Sequence, residues 1–305
     1  MTAFPVPTMP APPVSVVGLG QLGGSLAAAL AAAGRPVTGW DVDGAARDAA
    51  AARGVRIAQD LDGVVVLAVP LPAMTTALDG LTVTPDATIT DLGSVKGPVL
   101  RALGERWGTR FVGGHPMCGT ERSGHAAVDP ALFTGARWAV CLEEDTELPR
   151  WLRVAELALA VGAEVVPVTA VEHDDAVAAI SHVPHLLAAA LAEAAADAGP
   201  LALGLAAGSF ASGTRVIASD PAFVTAMVEA NAGPTAAALA RVLAHLERPW
   251  PALVAGGHAV ATRQTGRREV RVPLERAALL AVGRAGGAIT RRLAAFVEGW
   301  MPEVV

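Results

Sequence analysis

The sequence VSVVGLGQLG, at Val14–Gly23, decides the fold of this chain. Its first four residues, three of them valines, predict a buried strand, and the Ala-rich segment Leu22–Ala33 that follows predicts a helix. A strand, a G-x-G-x-x-G turn and a helix in this order are typical of a dinucleotide-binding unit. In such a turn the first glycine permits the tight bend, the second lets the backbone approach a pyrophosphate, and the third lets helix and strand pack closely.

An acidic residue follows the second predicted strand, Val37–Trp40, as this kind of unit requires. Asp41 can accept hydrogen bonds from ribose hydroxyls, and its charge would repel a 2′-phosphate, so NAD is favoured over NADP. Asp43 suits a helix N-cap better, and Arg47 is the residue that could receive a 2′-phosphate. The helix N-terminus adds unpaired N–H groups for the phosphates. The predicted cofactor-binding residues are Gly18, Gly20, Gln21, Leu22, Gly23 and Asp41.

Short β-branched runs alternate with Ala-rich helical stretches through the first half of the chain. Near-continuous apolar strands that alternate with helices indicate a parallel sheet covered on both faces. The pattern therefore predicts an α/β fold with a doubly wound, Rossmann-type sheet. The predicted strands are Val14–Val17, Val37–Trp40, Val64–Val69, Thr88–Asp91, Phe111–Gly113, Ala136–Cys141 and Glu164–Val168.

The pattern changes after Val168, where strand signals stop and helices dominate to the end. Thr169 and Glu172 form a T-x-x-E capping box, which predicts the start of a long helix. We therefore expect a disordered tail over residues 1–13, a dinucleotide-binding domain over residues 14–168, and an all-helical C-terminal domain over residues 169–305. The further predicted helices are Pro200–Ala207, Pro221–Glu247, Trp250–Thr265 and Leu274–Val297.

Length and composition fit a soluble protein of two domains. A chain of 305 residues can bury two cores. Hydrophobic residues make up 52% of it, but the stretch Leu186–Ala207 is broken by Glu193, Asp197 and Pro200, so we expect no membrane span. The Pro-rich start, Met1–Pro13, has no Lys or Arg, unlike a signal peptide. A net charge of −6 argues against nucleic acid as a partner.

Some reactive residue types are rare or missing. Lys96 is the only lysine, and there is no Tyr. A Tyr-Lys catalytic pair of the short-chain reductase kind is therefore excluded, and a Lys-centred site of the β-hydroxyacid dehydrogenase kind would have to use Lys96. The two cysteines, Cys118 and Cys141, form no CxxC or metal-ligand pattern, which fits a reducing cytoplasm.

Four motifs follow the glycine-rich turn in order. GSVK at Gly93–Lys96 and GHPMCGTE at Gly114–Glu121 each end a predicted strand, where open α/β sheets place ligands. SHVPH at Ser181–His185 and GTRVIASDP at Gly213–Pro221 come later. From about residue 14 to residue 246 the chain thus resembles the prephenate/arogenate dehydrogenase family. Cys118 stands where the family often has Ala, and no C-terminal regulatory domain is recognisable.

The resemblance implies an NAD-dependent oxidative decarboxylation. In the family's reaction, hydride leaves the ring carbon that bears a hydroxyl, the hydroxyl loses its proton, and the ring carboxylate leaves as CO2. An acceptor for this proton needs a pKa near neutrality, which suits His, and by resemblance it is His115. Ser94 resembles the serine that helps to orient this histidine; a turn or N-cap serine is the alternative.

The carboxylates of the substrate call for a cation. By resemblance Arg215 is the anchor, because a guanidinium binds a carboxylate with two hydrogen bonds; a surface ion pair with Asp220 is the alternative. Lys96 is a further substrate-binding candidate, or else a solvated lysine at a helix start. Glu121 is a candidate at the rim, and an acid in the pocket would favour an amino substrate.

His182 and His185 lie on one face of the long helix. We expect Pro184 to kink this helix and His182 to contact the substrate. His173 and Asp174 nearby leave a metal site as an alternative, but no complete ligand set is evident and we expect no metal.

We therefore predict a cytoplasmic homodimer that converts prephenate to 4-hydroxyphenylpyruvate in tyrosine biosynthesis, with its active site in the cleft between the domains. An arogenate dehydrogenase is the first alternative. Another two-domain dehydrogenase or imine reductase, and a non-catalytic NAD(H) sensor, are more remote. A sensor would not need Ser94, His115 and Arg215 to converge.

Overall fold

The computed structural model describes residues 12–119 and 124–303. Glu121 and all but the last two residues of the predicted tail therefore lie outside the described residues. The strands are β1 (Val14–Val17), β2 (Val37–Trp40), β3 (Arg56–Ile57), β4 (Asp60–Leu61), β5 (Val64–Leu67), β6 (Thr82–Val83), β7 (Thr88–Asp91), β8 (Phe111–Val112), β9 (Gly114–Pro116), β10 (Arg137–Cys141), β11 (Glu164–Val168), β12 (Arg267–Pro273), β13 (Ala288–Arg292) and β14 (Phe296–Pro302). The α-helices are α1 (Gln21–Ala32), α2 (Gly44–Ala51), α3 (Gly97–Trp107), α4 (Leu148–Ala160), α5 (Ala170–Val177), α6 (Val183–Asp197), α7 (Pro200–Gly204), α8 (Gly208–Thr214), α9 (Pro221–Ala230), α10 (Ala232–Leu246), α11 (Trp250–Ala261) and α12 (Arg276–Arg284).

Six parallel strands form the first sheet, in the order β3-β2-β1-β5-β7-β8. All four residues of β1 are buried, as are those of β5 and β7, because helices cover both faces of the sheet. The predicted Rossmann-type sheet is confirmed. Strand β1 lies between β2 and β5: the strands β2 and β3 extend the sheet on one side of it, and β5, β7 and β8 on the other. The order of the strands therefore reverses at β1, and a ligand site is expected at the carboxyl end of this strand.

The second sheet differs from the prediction. The segments Arg137–Cys141 and Glu164–Val168 do not extend the parallel sheet but form part of a mixed sheet in the order β12-β14-β13-β11-β10-β9. Only β10 and β11 are parallel in it, and β9 runs antiparallel to β10. The two sheets approach each other where the chain passes from β8 into β9, and this passage carries His115 to the site.

The helical region begins with the predicted capping box. The Thr169 side chain accepts the Glu172 N–H, and the Glu172 carboxylate accepts the Thr169 N–H. Helices α5 and α6 continue through a π-turn at Ala178–His182. Pro184 explains this turn, because it has no N–H to give to the carbonyl one turn earlier. The structure thus has a widened turn just before the position of the predicted kink.

The prediction that helices continue to the C-terminus is wrong for residues 267–302. Where Leu274–Val297 was predicted as one helix, only Arg276–Arg284 is helical, and strands β12, β13 and β14 surround it. Strand β13 pairs with β11, which places these residues against the first domain. Their apolar residues Leu279, Ile289 and Val297 belong to the same buried cluster as the first sheet.

The helix Ala170–Asp197 also differs from the expectation of no membrane-length segment. It has 28 residues and a mean hydropathy of 1.4 in its most apolar window, which suffices to cross a membrane by length and composition. About 28% of that window is buried inside the structure. Its N-terminal part carries His173, Asp174 and His182, all buried, so this part of the helix lies within the fold.

Candidate active site

The glycine-rich turn has the geometry that its sequence predicts. Gly18 has φ +94°, a conformation that favours glycine, and a Cβ there would collide with the carbonyl of Ala68. A Cβ on Gly23 would collide with the carbonyl of Gly18. A Cβ on Gly20 would meet no described atom within 4 Å, and no side chain caps helix α1, which begins there. Open space in front of a helix N-terminus fits a pyrophosphate.

Asp41 is held rigidly at the end of β2. Its carboxylate accepts the N–H of Leu19 at 2.6 Å and the N–H of Asp43 at 2.8 Å. Asp43 caps helix α2 through the N–H of Ala45 at 2.9 Å, as predicted. The Arg47 guanidinium donates to the Asp41 carbonyl at 2.6 Å and lies 4.9 Å from the Trp40 ring centre. Asp41, the predicted acceptor of ribose hydroxyls, and Arg47, the residue that could receive a 2′-phosphate, therefore both lie at the end of β2.

Lys96 is fully buried, so it is not a solvated helix-start lysine. Its ammonium donates to the carboxylate of Asp91 and, at 2.7 Å, to the carbonyl of Gly114. Asp91 also accepts the N–H groups of Gly93 and Gly114, at 2.9 and 3.1 Å. This buried ion pair ties the loop that carries Ser94 to the strand that carries His115. It also argues against the predicted direct contact between Lys96 and the substrate.

His115 lies on β9, opposite Ala139 of β10, and it is the first member of a chain of three side chains. Its Nδ1 lies 2.8 Å from Nε2 of His173. The Nδ1 of His173 lies 2.8 Å from the carboxylate of Asp174. Asp174 in turn accepts the backbone N–H groups of Lys96 and Gly97, both at 2.8 Å.

The protein environment keeps these histidines neutral near pH 7. Burial, with smaller contributions from His173, Lys96 and His182, holds the pKa of His115 well below its usual 6.5. Burial also lowers the pKa of His173, against the opposing effect of Asp174. Burial alone would raise the pKa of Asp174, but hydrogen bonds from His173 and from two backbone N–H groups outweigh it and lower that pKa. The hydrogen-bonded series from Asp174 through His173 to His115 therefore consists of a carboxylate and two neutral imidazoles.

Six buried side-chain polar atoms have no hydrogen-bond partner among the described residues, and two of them belong to predicted site residues: Oγ of Ser94 and Nε2 of His182. The Nδ1 of His182 lies 3.2 Å from the amide nitrogen of Asn231, and that nitrogen also donates to the Asp174 carbonyl at 2.8 Å. Since an amide nitrogen only donates, Nδ1 of His182 is an acceptor and its proton is on Nε2. Buried groups without partners are rare and indicate a ligand position.

The structure also places two other predicted residues. Arg215 is exposed on a short 3-10 helix, Arg215–Ala218. His185 gives its Nδ1 proton to the Ser181 carbonyl of its own helix, at 2.8 Å. Within the described ranges, no group of three His, Cys, Asp or Glu side chains could hold a metal ion. The His173–Asp174 pair, an alternative metal site from sequence, instead contacts His115.

Sequence reasoning missed the roles of His173, Asp174 and Asn231. The signal was present for the first two, because both follow the capping box at the start of a helix that faces the sheet edge. For Asn231 there was none, since it lies 57 residues beyond Asp174 and meets it only in the folded chain.

Two family models match the chain. The prephenate dehydrogenase nucleotide-binding domain matches residues 26–167, and the prephenate dehydrogenase dimerization domain matches residues 169–254. Among curated relatives, prephenate dehydrogenase of Bacillus subtilis is 32% identical over 229 residues, which are 68% of this chain and 61% of the relative. The chain therefore spans about three fifths of the length of that relative.

Two solved structures are similar over most of both chains. One is prephenate dehydrogenase from A. aeolicus in complex with hydroxyphenyl propionate and NAD+, with 27% identity, a TM-score of 0.72, and coverage of 81% of this chain and 92% of that one. The other is Synechocystis arogenate dehydrogenase, with 28% identity, a TM-score of 0.68, and coverage of 82% and 94%. The similarity thus includes relatives named for each of the two substrates.

Proposed function

This chain belongs to the prephenate dehydrogenase family, and from that premise we propose that it is an NAD-dependent dehydrogenase that oxidatively decarboxylates prephenate to 4-hydroxyphenylpyruvate. Arogenate is the alternative substrate, and the similarity to an arogenate dehydrogenase supports this alternative. The observation that carries the proposal is the neutral His115 just beyond the carboxyl end of β8 of the Rossmann sheet, on a strand that Lys96 ties to the loop with the unpartnered Ser94 hydroxyl.

His115 is proposed as the acceptor of the substrate's hydroxyl proton. Because its pKa is held well below 6.5, it is unprotonated at pH 7 and ready to accept. The glycine-rich turn and Asp41 would hold NAD, which would supply the hydride acceptor for the ring carbon that bears this hydroxyl. As His115 withdraws the proton, the electron pair of the bond to the ring carboxylate enters the ring, CO2 leaves, and the ring becomes aromatic.

Three further residues are proposed to bind the substrate. Ser94 has a hydroxyl free to reach the substrate hydroxyl or the nicotinamide. His182, whose pKa burial lowers to about 4, stays neutral and offers Nε2–H as a donor to a substrate oxygen. Arg215, exposed on the short 3-10 helix Arg215–Ala218, is proposed as the carboxylate anchor by resemblance to the family.

The proposed assembly is a homodimer in the cytoplasm. Helices α6 to α11 leave large apolar side chains exposed, among them Leu201, Leu205, Trp250 and Val260, each at least 74% exposed. Many exposed large apolar side chains in one region are typical of an interface, and these residues lie in or beside the segment that matches a dimerization domain. The exposed part of helix Ala170–Asp197 fits the same use. Both cysteines are free, which fits a reducing compartment.

The function is tested by following NAD reduction with prephenate and with arogenate in parallel. Turnover of prephenate supports the proposal, faster turnover of arogenate selects the alternative, and turnover of neither rejects both. His115→Asn keeps a polar side chain but removes the base, so kcat should fall by roughly 10²–10⁴ while NAD binding persists. A variant with the wild-type kcat and pH profile would show that His115 is not the acceptor, and His185, whose Nε2 has a lone pair, would be the next candidate.

A further inference from the structure

We propose that His173 and Asp174 are positioning residues that fix the protonation of His115, so that its Nε2 presents a lone pair to the substrate hydroxyl. This inference rests on the proposed function of His115 as the proton acceptor. It adds that the Asp174 carboxylate, two hydrogen bonds away, determines which ring nitrogen of His115 carries the proton.

The argument follows the hydrogen bonds from Asp174 outward. An ionised carboxylate only accepts, so the proton between Asp174 and His173 belongs to Nδ1 of His173. A neutral imidazole carries one N–H, so Nε2 of His173 then has a lone pair. That lone pair, 2.8 Å from Nδ1 of His115, can only accept a proton from it. His115 is thereby held as the Nδ1–H form, and its free lone pair is on Nε2.

The starting point of this chain is secure because Asp174 is held ionised. Its two oxygens accept the N–H groups of Lys96 and Gly97, each at 2.8 Å, in addition to the proton of His173. Donors directed at a carboxylate favour its charged form and lower its pKa. Asp174 and His173 are both buried, so water does not compete for these bonds.

The same chain stabilises the product of proton transfer. When Nε2 of His115 takes the hydroxyl proton, the ring becomes a cation whose Nδ1–H still donates to His173. The charged groups that face the pair are Asp174, Asp91 and Lys96, with His182 neutral from the next turn. Lys96 is already paired with Asp91, which leaves the Asp174 carboxylate to balance the new charge. A buried acid that orients and balances a catalytic histidine is the arrangement of the Ser-His-Asp triad.

The first experiment measures protonation directly, without any substrate. The full-length protein is labelled with ¹⁵N-histidine, and the His115 ring signals are assigned by their loss in His115→Asn. We expect wild-type His115 as the Nδ1–H form above neutral pH, and a mixture of both forms in His173→Phe, which removes its acceptor. An Nε2–H form in the wild type would overturn the proposal, as would an unchanged His115 spectrum in folded His173→Phe.

The second experiment measures kinetics in the same variants. For His173→Phe and Asp174→Asn, kcat should fall by more than about 10-fold, but by less than the roughly 10²–10⁴ expected from loss of the base itself, with NAD affinity retained. His173→Gln keeps an acceptor for the His115 proton and should recover part of kcat. Asp175→Asn, the same change at the exposed neighbour, is the matched control and should leave kcat unchanged.

These two experiments separate failure of the inference from failure of the proposed function. If neither prephenate nor arogenate is turned over, the proposed function fails, and the ¹⁵N spectra still decide how His115 is protonated. If turnover is normal but His173→Phe and Asp174→Asn keep the wild-type kcat, the positioning role is refuted while the function stands.

Discussion

Replacing Lys96 by Met removes the ammonium of a buried ion pair and tests how the site is built. The Lys96 and Asp91 side chains are both 0% exposed. Loss of the ammonium leaves the Asp91 carboxylate buried with only two backbone N–H donors, those of Gly93 and Gly114. It also removes a donor from the Gly114 carbonyl, which Lys96 binds at 2.7 Å.

Breaking a buried pair on one side typically costs about 3–5 kcal/mol, because the remaining charge has no compensation. The double variant Asp91→Asn/Lys96→Met has no buried charge left, and its imperfect hydrogen bonds should cost only about 1–3 kcal/mol. We therefore expect the double variant to be more stable than Lys96→Met alone, although it carries one more substitution. Arg106→Met is the control: its ion pair with Asp79 is about half exposed and should contribute roughly 0–1 kcal/mol.

Urea unfolding of the three variants and the wild type gives these free energies, and kcat is measured under conditions where each is folded. Activity should stay low in the double variant, because the tie between the Ser94 loop and the His115 strand is still missing. The reasoning is refuted if Lys96→Met costs less than about 1 kcal/mol, or if the double variant is less stable than the single one.

Three further predictions concern ligands and pH. Arg215→Ala should raise KM for the cyclohexadienyl substrate by about 10–150-fold, equivalent to roughly 1.5–3 kcal/mol, with NAD affinity unchanged; an unchanged KM would rule out the anchor. Because of Asp41, kcat/KM should be higher with NAD than with NADP, and the reverse preference would shift the role to Arg47. Folding lowers the pKa of His182 from 6.5 to about 4, so the unfolded chain binds more protons below pH 6.5 and stability falls as pH falls. Urea unfolding should show a loss of about 2 kcal/mol between pH 7 and pH 5 from His182 alone, a slope that His182→Asn should reduce and that equal stability at both pH values would contradict.

The first sheet could be predicted because its local and global signals agree. Strands β1, β2 and β7 have the predicted bounds, since buried parallel strands need continuous β-branched or apolar residues. The turn between β1 and α1 could be predicted for the same reason: close approaches at Gly18 and Gly23 leave no choice of residue. Where close contacts allow only one residue type, as at these glycines, the local sequence is enough to predict the local structure.

The C-terminal strands could not be predicted in this way, because their pairing partner lies far away in sequence. Strand β13 pairs with β11 across more than 120 residues, and the guanidinium groups of Arg137 and Arg267 each lie 4.2 Å from the ring centre of Trp300. Residues 274–297 are rich in Ala and Leu, which favours a helix locally. Pairing with an existing sheet edge outweighs that preference, and Gly286, with φ +77°, ends the helix early.

The active-site residues likewise fall into those that the local sequence predicts and those that depend on contacts between distant segments. The motifs of Ser94 and His115 follow β7 and β8 of the first sheet, and the carboxyl ends of parallel strands share one sheet edge, so the sequence predicts that the two residues lie near each other. The contact between His115 and His173 spans 58 residues; the capping box before His173 predicts the start of a helix but does not predict this contact. Lys96 shows the consequence most clearly: a lysine after a strand and before a helix has the pattern of a solvated residue, yet here it is buried because Asp91, five residues earlier, supplies the charge that makes burial tolerable. The functional residues that cannot be predicted from sequence are therefore those that position other side chains, because their contacts join segments that are distant in sequence and meet only in the folded protein.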